Sequence, residues 1–193
     1  MGYVPKILAF AGSTRTDSYN KKLVKVAAAG ARAAGAEVTA LDLRDLPMPL
    51  FDQDVEAAEG LPAHARTFKA LLLVHQGLLI SAPEYNSSML GVLKNAIDWA
   101  SRPAPGEAPL ACFSGKVAAL MSASPGALGG LRGLVHLRAM LGNIGALVLP
   151  GQVVVPKAHE ALALEGTLKN AKQQAAVEEL GTRLAAILTK LYA

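Results

Sequence analysis

Lys6-Ile7-Leu8-Ala9-Phe10-Ala11-Gly12-Ser13-Thr14-Arg15-Thr16-Asp17-Ser18-Tyr19-Asn20 is the stretch on which the fold turns. A short apolar run ends at Ala11-Gly12 and gives way to a loop rich in hydroxyls. Helical periodicity follows: between Ser18 and Ala34, Leu23, Ala27, Ala31 and Ala34 share one face, while Lys21, Lys22, Lys25 and Arg32 lie elsewhere. Gly35 suits the helix stop, and Glu37 to Leu43 reads as a second strand.

The same alternation continues along the chain. A helix is expected over Leu61 to His75, a third strand over Gly77 to Ser81, and a helix carrying Leu90, Leu93, Ile97 and Ala100 on one stripe. A fourth strand is expected over Lys116 to Ser122 and a helix over Leu131 to Leu141. The fifth strand, Ala146 to Val155, is interrupted by Pro150-Gly151, and a last helix runs from Gly166 to Tyr192. Two prolines in Leu46-Pro47-Met48-Pro49-Leu50-Phe51-Asp52-Gln53-Asp54 exclude regular structure there, so this apolar loop is expected to cover something. Five strands alternating with helices predict a parallel sheet with helices on both faces. The length of 193 residues suits one domain over residues 1–193.

Composition narrows the function classes. A net charge of +4, with no basic run longer than Lys21-Lys22, does not suit a nucleic-acid surface; a solvated basic surface accounts for it, and attraction of anionic substrates or cofactors is the milder functional reading. The single Cys112 and four scattered histidines build no metal set. The longest apolar stretch, Leu71 to Val74, is far below membrane length. The chain enters its first strand by Lys6 without a secretory pattern. These features predict a cytoplasmic protein without membrane or nucleic-acid partners.

In open parallel sheets, ligands bind beyond the carboxyl ends of the strands. The loops after strands one, three and four are therefore the candidate site. The first ends at a helix N-terminus, where free N–H groups suit an anion, and Arg15 adds a fork for phosphate oxygens. Asn20 falls in the first helical turn, where its amide can point back at the loop. Neither the GxGxxG nor the GxxxxGK[ST] pattern is present. One terminal phosphate on a tether, as in FMN, suits this loop; an ordinary N-cap at Ser18 explains it equally. In the second loop, Pro83-Glu84-Tyr85-Asn86 offers a stiff backbone edge able to read the polar rim of an isoalloxazine, and a proline-shaped turn capped by Ser88 is the plain alternative. In the third, Ser122, Ser124, Gly126, Gly129 and Gly130 allow close backbone approach to a ligand, or serve only chain reversal. On the helix between them, Lys94 and Asp98 are spaced to pair, and Trp99 suits a subunit interface.

Taken together, Gly12 to Asn20, Pro83 to Asn86 leading into Leu93-Lys94-Asn95-Ala96-Ile97-Asp98-Trp99, and Gly126 with Gly129-Gly130 resemble the NAD(P)H-dependent FMN reductases, which include quinone, azo-dye and chromate reductases. The resemblance implies a flavodoxin-like three-layer α/β sandwich with a five-stranded parallel sheet in the order 2-1-3-4-5. It implies FMN as cofactor, its phosphate held by Ser13, Arg15, Ser18 and Asn20, with Tyr19 beside them. Pro83, Glu84, Tyr85, Asn86 and Ser87 would meet the ring, and Ser124 and Gly126 its other edge. No side chain is expected to act as catalytic acid or base, because the flavin carries the chemistry. The implied activity is ping-pong transfer from NAD(P)H to a small-molecule acceptor: a quinone, azo compound, chromate-type oxyanion or free flavin. A homodimer or homotetramer is implied. An FMN-binding electron carrier of the flavodoxin type is the rival, although such carriers are acidic and sandwich the ring between aromatics. One departure is visible: Met89-Leu90 precede Gly91 where the family often has a proline, which reshapes the pocket entrance.

Overall fold

The computed structural model describes residues 2–193. In chain order the elements are β1 (Lys6–Ala11), α1 (Tyr19–Ala33), β2 (Glu37–Asp42), α2 (Gln53–Glu59), α3 (Ala63–Val74), β3 (Gly77–Ser81), β4 (Glu84–Tyr85), β5 (Ser88–Met89), α4 (Gly91–Ser101), β6 (Val117–Ala123), α5 (Leu131–Asn143), β7 (Leu147–Val155), α6 (Ala158–Ala161) and α7 (Ala171–Tyr192). Five strands form one parallel sheet in the order β2-β1-β3-β6-β7, the predicted 2-1-3-4-5 once the small hairpin β4–β5 is set apart.

The twofold alternation of a strand decides which layer each side chain joins. On β1, Ile7, Ala9 and Ala11 pack under α1 and α7, while Leu8 and Phe10 pack under α3, α4 and α5. Both faces of β1, β3 and β6 are buried, as their unbroken apolar runs require. Helices α1 and α7 cross at two glycines: a Cβ on Gly181 would lie 1.9 Å from the Ala27 carbonyl oxygen, and one on Gly30 2.0 Å from that of Glu178.

Several boundaries differ from the sequence expectation. Strand β2 stops at Asp42, whose carboxylate accepts from the Arg44 amide at 2.9 Å and starts a 3-10 turn. The loop after it does cover a neighbour: Pro49 O accepts from Trp99 Nε1 and Asn95 Nδ2, both at 2.8 Å, and Phe51 meets the Trp99 ring edge-on. Trp99 is thus fully buried within the chain, not placed at a subunit interface. Lys94 and Asp98 do pair, at 2.7 Å. Asp52 then caps the short helix α2, which the two prolines had obscured. Pro150-Gly151 does not break β7: it makes a bulge opposite Ala119, tolerated because β7 is an edge strand. The last helix begins at the Asn170 cap, whose side chain accepts from Lys172 and Gln173, and Gly166 lies in the turn before it.

Candidate functional site

The carboxyl ends of β1, β3 and β6 carry three loops, and one buried amide ties them. Asn20 Nδ2 donates to Ala123 O at 2.8 Å, and its Oδ1 accepts from Ala123 N at 3.0 Å and from Ser81 Oγ at 2.8 Å. The expectation that this amide points back at the anion loop is corrected: it faces the sheet, and its oxygen is taken up by two donors. It holds the first turn of α1 against the ends of β3 and β6.

The first loop starts at Gly12, where a Cβ would meet Leu93 of α4 at 2.8 Å, so a glycine lets the loop lie on that helix. Ser13 is buried, and its Oγ accepts from the Arg15 amide at 3.3 Å. Ser18 stands at the N-cap of α1 in extended conformation, but its hydroxyl makes no capping bond. There is no acid in the first turn of α1, which instead holds Lys21 and Lys22. A helix start of this kind presents free N–H groups and a positive dipole end with nothing to neutralise them. Asp17 pairs outward with Lys22 at 2.6 Å; the hydrogen bond and charge of that lysine hold its carboxyl below the usual range. Arg44 contacts the Thr16 hydroxyl, and Arg15 is exposed.

The second loop is a hairpin. Asn86 and Ser87 have φ of 51° and 65°, so both central residues of the turn are left-handed, the geometry that matches the twist of paired strands. β4 and β5 pair antiparallel across it. Sequence pattern missed this because two-residue strands show no periodicity and the turn lacks glycine. Glu84 anchors the hairpin to α5. Its carboxylate accepts from Arg132 Nε at 2.9 Å and Nη2 at 2.6 Å, and from the Gly133 amide at 3.1 Å. Burial pushes this carboxyl up, but the Gly133 amide and the Arg132 guanidinium outweigh it and keep the group below its ordinary value. His136 Nδ1 lies 2.9 Å from Ser88 Oγ on the same contact.

The third loop is tied to the end of β7: Ser124 N donates to Val155 O and Ala158 N to Ser124 O. Ser124 Oγ accepts from Gly126 N at 3.2 Å. Gly130 starts α5 with φ of 89°, and a Cβ there would lie 1.9 Å from Ser122 Oγ, so no other residue fits. That serine oxygen is buried without a hydrogen-bond partner among the described residues.

Ser13, Arg15, Ser18, Tyr19 and Asn20 from the first loop, Pro83, Glu84 and Tyr85 from the second, and Ser124 from the third line one cleft. Asn86, Ser87 and Gly126 lie outside its lining. Leu90, Ala123 and Pro125 also line it; Pro125 falls between the Ser124 and Gly126 of the third loop, and Leu90 carries only a helix-stripe signal. The carboxylate of Glu84 is drawn toward α5 by Arg132, so it braces the hairpin instead of presenting a base. An uncapped helix start with a free arginine at one end, and a stiff hairpin backbone beside a small-residue loop at the other, can hold an anion attached to a planar polar ring.

The family model described as NADPH-dependent FMN reductase matches residues 5–160. The NAD(P)H-dependent FMN reductase of Pseudomonas aeruginosa is 37% identical over 176 residues, 90% of each chain. A quinone reductase of Escherichia coli is 38% identical over 149 residues, 75% of this chain and 73% of that one. Among solved structures, the flavoenzyme NAD(P)H:(acceptor) oxidoreductase FerB of Paracoccus denitrificans superposes with a TM-score of 0.78 at 27% identity, covering 97% of this chain and 98% of the other. The sheet order and the helices on both faces are those of the flavodoxin-like fold.

Proposed function

Because this chain belongs to the NADPH-dependent FMN reductase family, and is thus an oxidoreductase that uses FMN and NAD(P)H, we propose that it works by a ping-pong cycle with quinones as acceptors. The observation that carries the reading is the convergence of three loops on one cleft at the uncapped start of α1. Quinone acceptors are supported by the names of relatives, among them the 2-hydroxy-1,4-benzoquinone reductase of a Burkholderia species, 40% identical over 145 residues. Azo compounds, chromate-type oxyanions and free flavin remain acceptors to screen beside them.

The residues fit the cofactor. Arg15, Ser13, Ser18 and the first amides of α1 would bind the phosphate by charge and hydrogen bonding. The backbone of Pro83 to Tyr85 would orient the ring, and Ser124 with Pro125 would border its other edge. Bound FMN supplies the two-electron chemistry. The exposed Tyr85 borders the cleft mouth, where it can cover a planar donor or acceptor and exclude water from it. One mouth serves both reactants in turn, which is why the oxidised donor leaves before the acceptor enters. The charge of the site suits carriers of phosphate, whereas a flavodoxin-type carrier is acidic.

The whole chain is read as one FMN-binding domain, working in the cytoplasm; no helix among the described residues is long and apolar enough to cross a membrane. A homodimer or homotetramer is the proposed assembly, supported by Tyr85, Leu128, Leu131 and Val135, exposed apolar residues around the cleft mouth and the start of α5. Light scattering on the purified protein tests it, and a monomer at all concentrations refutes it.

Anaerobic mixing of the FMN-loaded protein with NADPH or NADH tests the reading. Bleaching of the flavin band near about 450 nm, followed by its return on adding a quinone, is expected. Parallel lines in double-reciprocal plots would establish the ping-pong order, and a flavin that neither donor reduces would sink the reductase reading. Arg15→Ala should weaken FMN binding by about 1.5–3 kcal/mol, the scale of a charge-assisted hydrogen bond; an unchanged dissociation constant would move the phosphate site elsewhere.

A further inference from the structure

A groove of about 430 Å³ lies beside the cleft, between α1 and the upper half of β2. Its origin is the slant of α1. The helix begins over β6, where Asn20 meets Ala123, and ends over β2, where Arg32 donates to Val38 O at 3.0 Å. Near its start, the face of β2 is therefore left uncovered, and Ala40 is exposed to solvent. The size falls in the range of roughly 300–1,000 Å³ typical of small-molecule sites.

Three features define what fits. The apolar lining is of short side chains: the exposed Ala40 of β2, with the covered Ala9 and Ala11 of β1 beneath and Ala28 on the wall formed by α1, which leaves a floor at Ala40 for a planar ring. The rim carries Lys21, Lys22, Lys25 and Arg32 against only Asp42 and Asp45. Lys21 is bound to Asp42 at 2.6 Å and Lys22 to Asp17 at 2.6 Å, but Lys25 and Arg32 have no carboxylate partner among the described residues. Lys25 is thus free for an anion, and Arg32, which gives one Nη2 hydrogen to Val38 O, keeps further donors for it. Asp42 stands at the carboxyl end of β2, beside the loop after β1. In dinucleotide-binding doubly wound sheets an acid at that place accepts the ribose hydroxyls of adenosine. Finally, groove and cleft meet: Ser18 lines both, and its hydroxyl is not used to cap α1.

We infer that this groove is a subsite for an adenosine phosphate, with the ring on the alanine floor, the ribose at Asp42 and the phosphate at Lys25 and Arg32. The inference rests on the flavin reading, because the groove opens on the phosphate end of that cleft. Two molecules bring the required chemistry: FAD, whose AMP half would extend past the flavin phosphate, and the nicotinamide donor, through its adenosine phosphate half.

The test is calorimetric titration of the full chain, FMN-saturated and FMN-free, with ADP as probe. Wild type should take up one ADP per chain in both forms. Lys25→Glu should weaken ADP binding about tenfold or more. Ala40→Leu, which fills the floor at an exposed strand position without changing charge, should weaken it comparably, with the FMN dissociation constant moving less than twofold in each variant. No ADP uptake by wild type, or the same uptake in both variants, overturns the inference. FMN uptake reads the cleft and ADP uptake the groove, so the two readings fail separately. FAD binding tighter than FMN, with the difference abolished by Ala40→Leu, would assign the groove to FAD. A raised KM for NADH in Ala40→Leu, with FAD and FMN bound equally, would assign it to the donor.

Discussion

Replacing Asn20 by alanine should unfold the site from below without touching any ligand contact. The amide makes three buried bonds, to Ala123 N, Ala123 O and Ser81 Oγ, at 3.0, 2.8 and 2.8 Å. Asn20 and Ala123 are each 3% exposed and Ser81 is fully buried, so the orphaned groups gain little from water. Each lost bond of this kind costs about 1 kcal/mol net, and a buried donor or acceptor left unpaired costs about 1–3 kcal/mol. Because the Ser81 hydroxyl can rotate toward another acceptor, the sum is about 3–4 kcal/mol. For a chain of this size that lowers Tm by about 6–16 °C. Urea denaturation of the FMN-free protein measures the loss directly, and FMN titration of the folded fraction measures the ligand effect beside it. Asn20→Asp sharpens the test. It keeps the acceptor for Ser81 and Ala123 N but sets a carboxylate against the Ala123 carbonyl, so its folded pKa is raised. The destabilisation relative to wild type should be smallest below the unfolded carboxyl value of about 3.9 and grow as pH rises through it. A stability change under about 1 kcal/mol in Asn20→Ala, together with lost FMN affinity, would refute the scaffold role and return this amide to the phosphate.

Three further outcomes follow from the packing. Glu84→Gln weakens the tie between the hairpin and α5 and should cost about 1–2 kcal/mol, the low end for a charged hydrogen bond because Arg132 is half exposed; since the folded Glu84 carboxyl lies below its ordinary value, this contribution is present above the usual carboxylate range and lost as pH falls through the folded value, so wild type and variant should converge in acid urea titrations. Gly181→Ala drives a methyl to 1.9 Å from the Ala27 carbonyl oxygen, and the forced separation of α1 from α7 should cost about 1–3 kcal/mol in a denaturant melt; a neutral result would mean the crossing is wider than described. Gly130→Ala combines φ of 89° with a clash at Ser122 Oγ, so thermal melting should show a loss of about 2 kcal/mol or more, and FMN affinity should fall with it because the third loop is displaced.

Periodicity, loop order and composition were enough for the architecture. The alternation of apolar runs with helical stripes predicts the five parallel strands, and the unusual residues at Gly12 to Asn20, Pro83 to Asn86 and Ser124 to Gly130 mark the ends where a ligand belongs. These features are local: a strand run, a turn residue and a helix start each show within a few positions. What is non-local was not legible. Asn20 bonds with residues 61 and 103 positions away, and only the register of β1, β3 and β6 brings them together, which turns a presumed phosphate ligand into the tie beneath the site. Trp99 reads as an interface residue until the Pro49–Phe51 loop is seen folded over it. Glu84 shows no partner in its own stretch of sequence, because Arg132, which binds its carboxylate, lies 48 positions on. The groove beside α1 has no sequence signature, because it is space left by the angle at which one helix crosses the sheet. Sequence determines which segments form and which loops share an edge; packing decides which side chains remain free to meet a ligand, since each buried polar group must first find its partner within the fold.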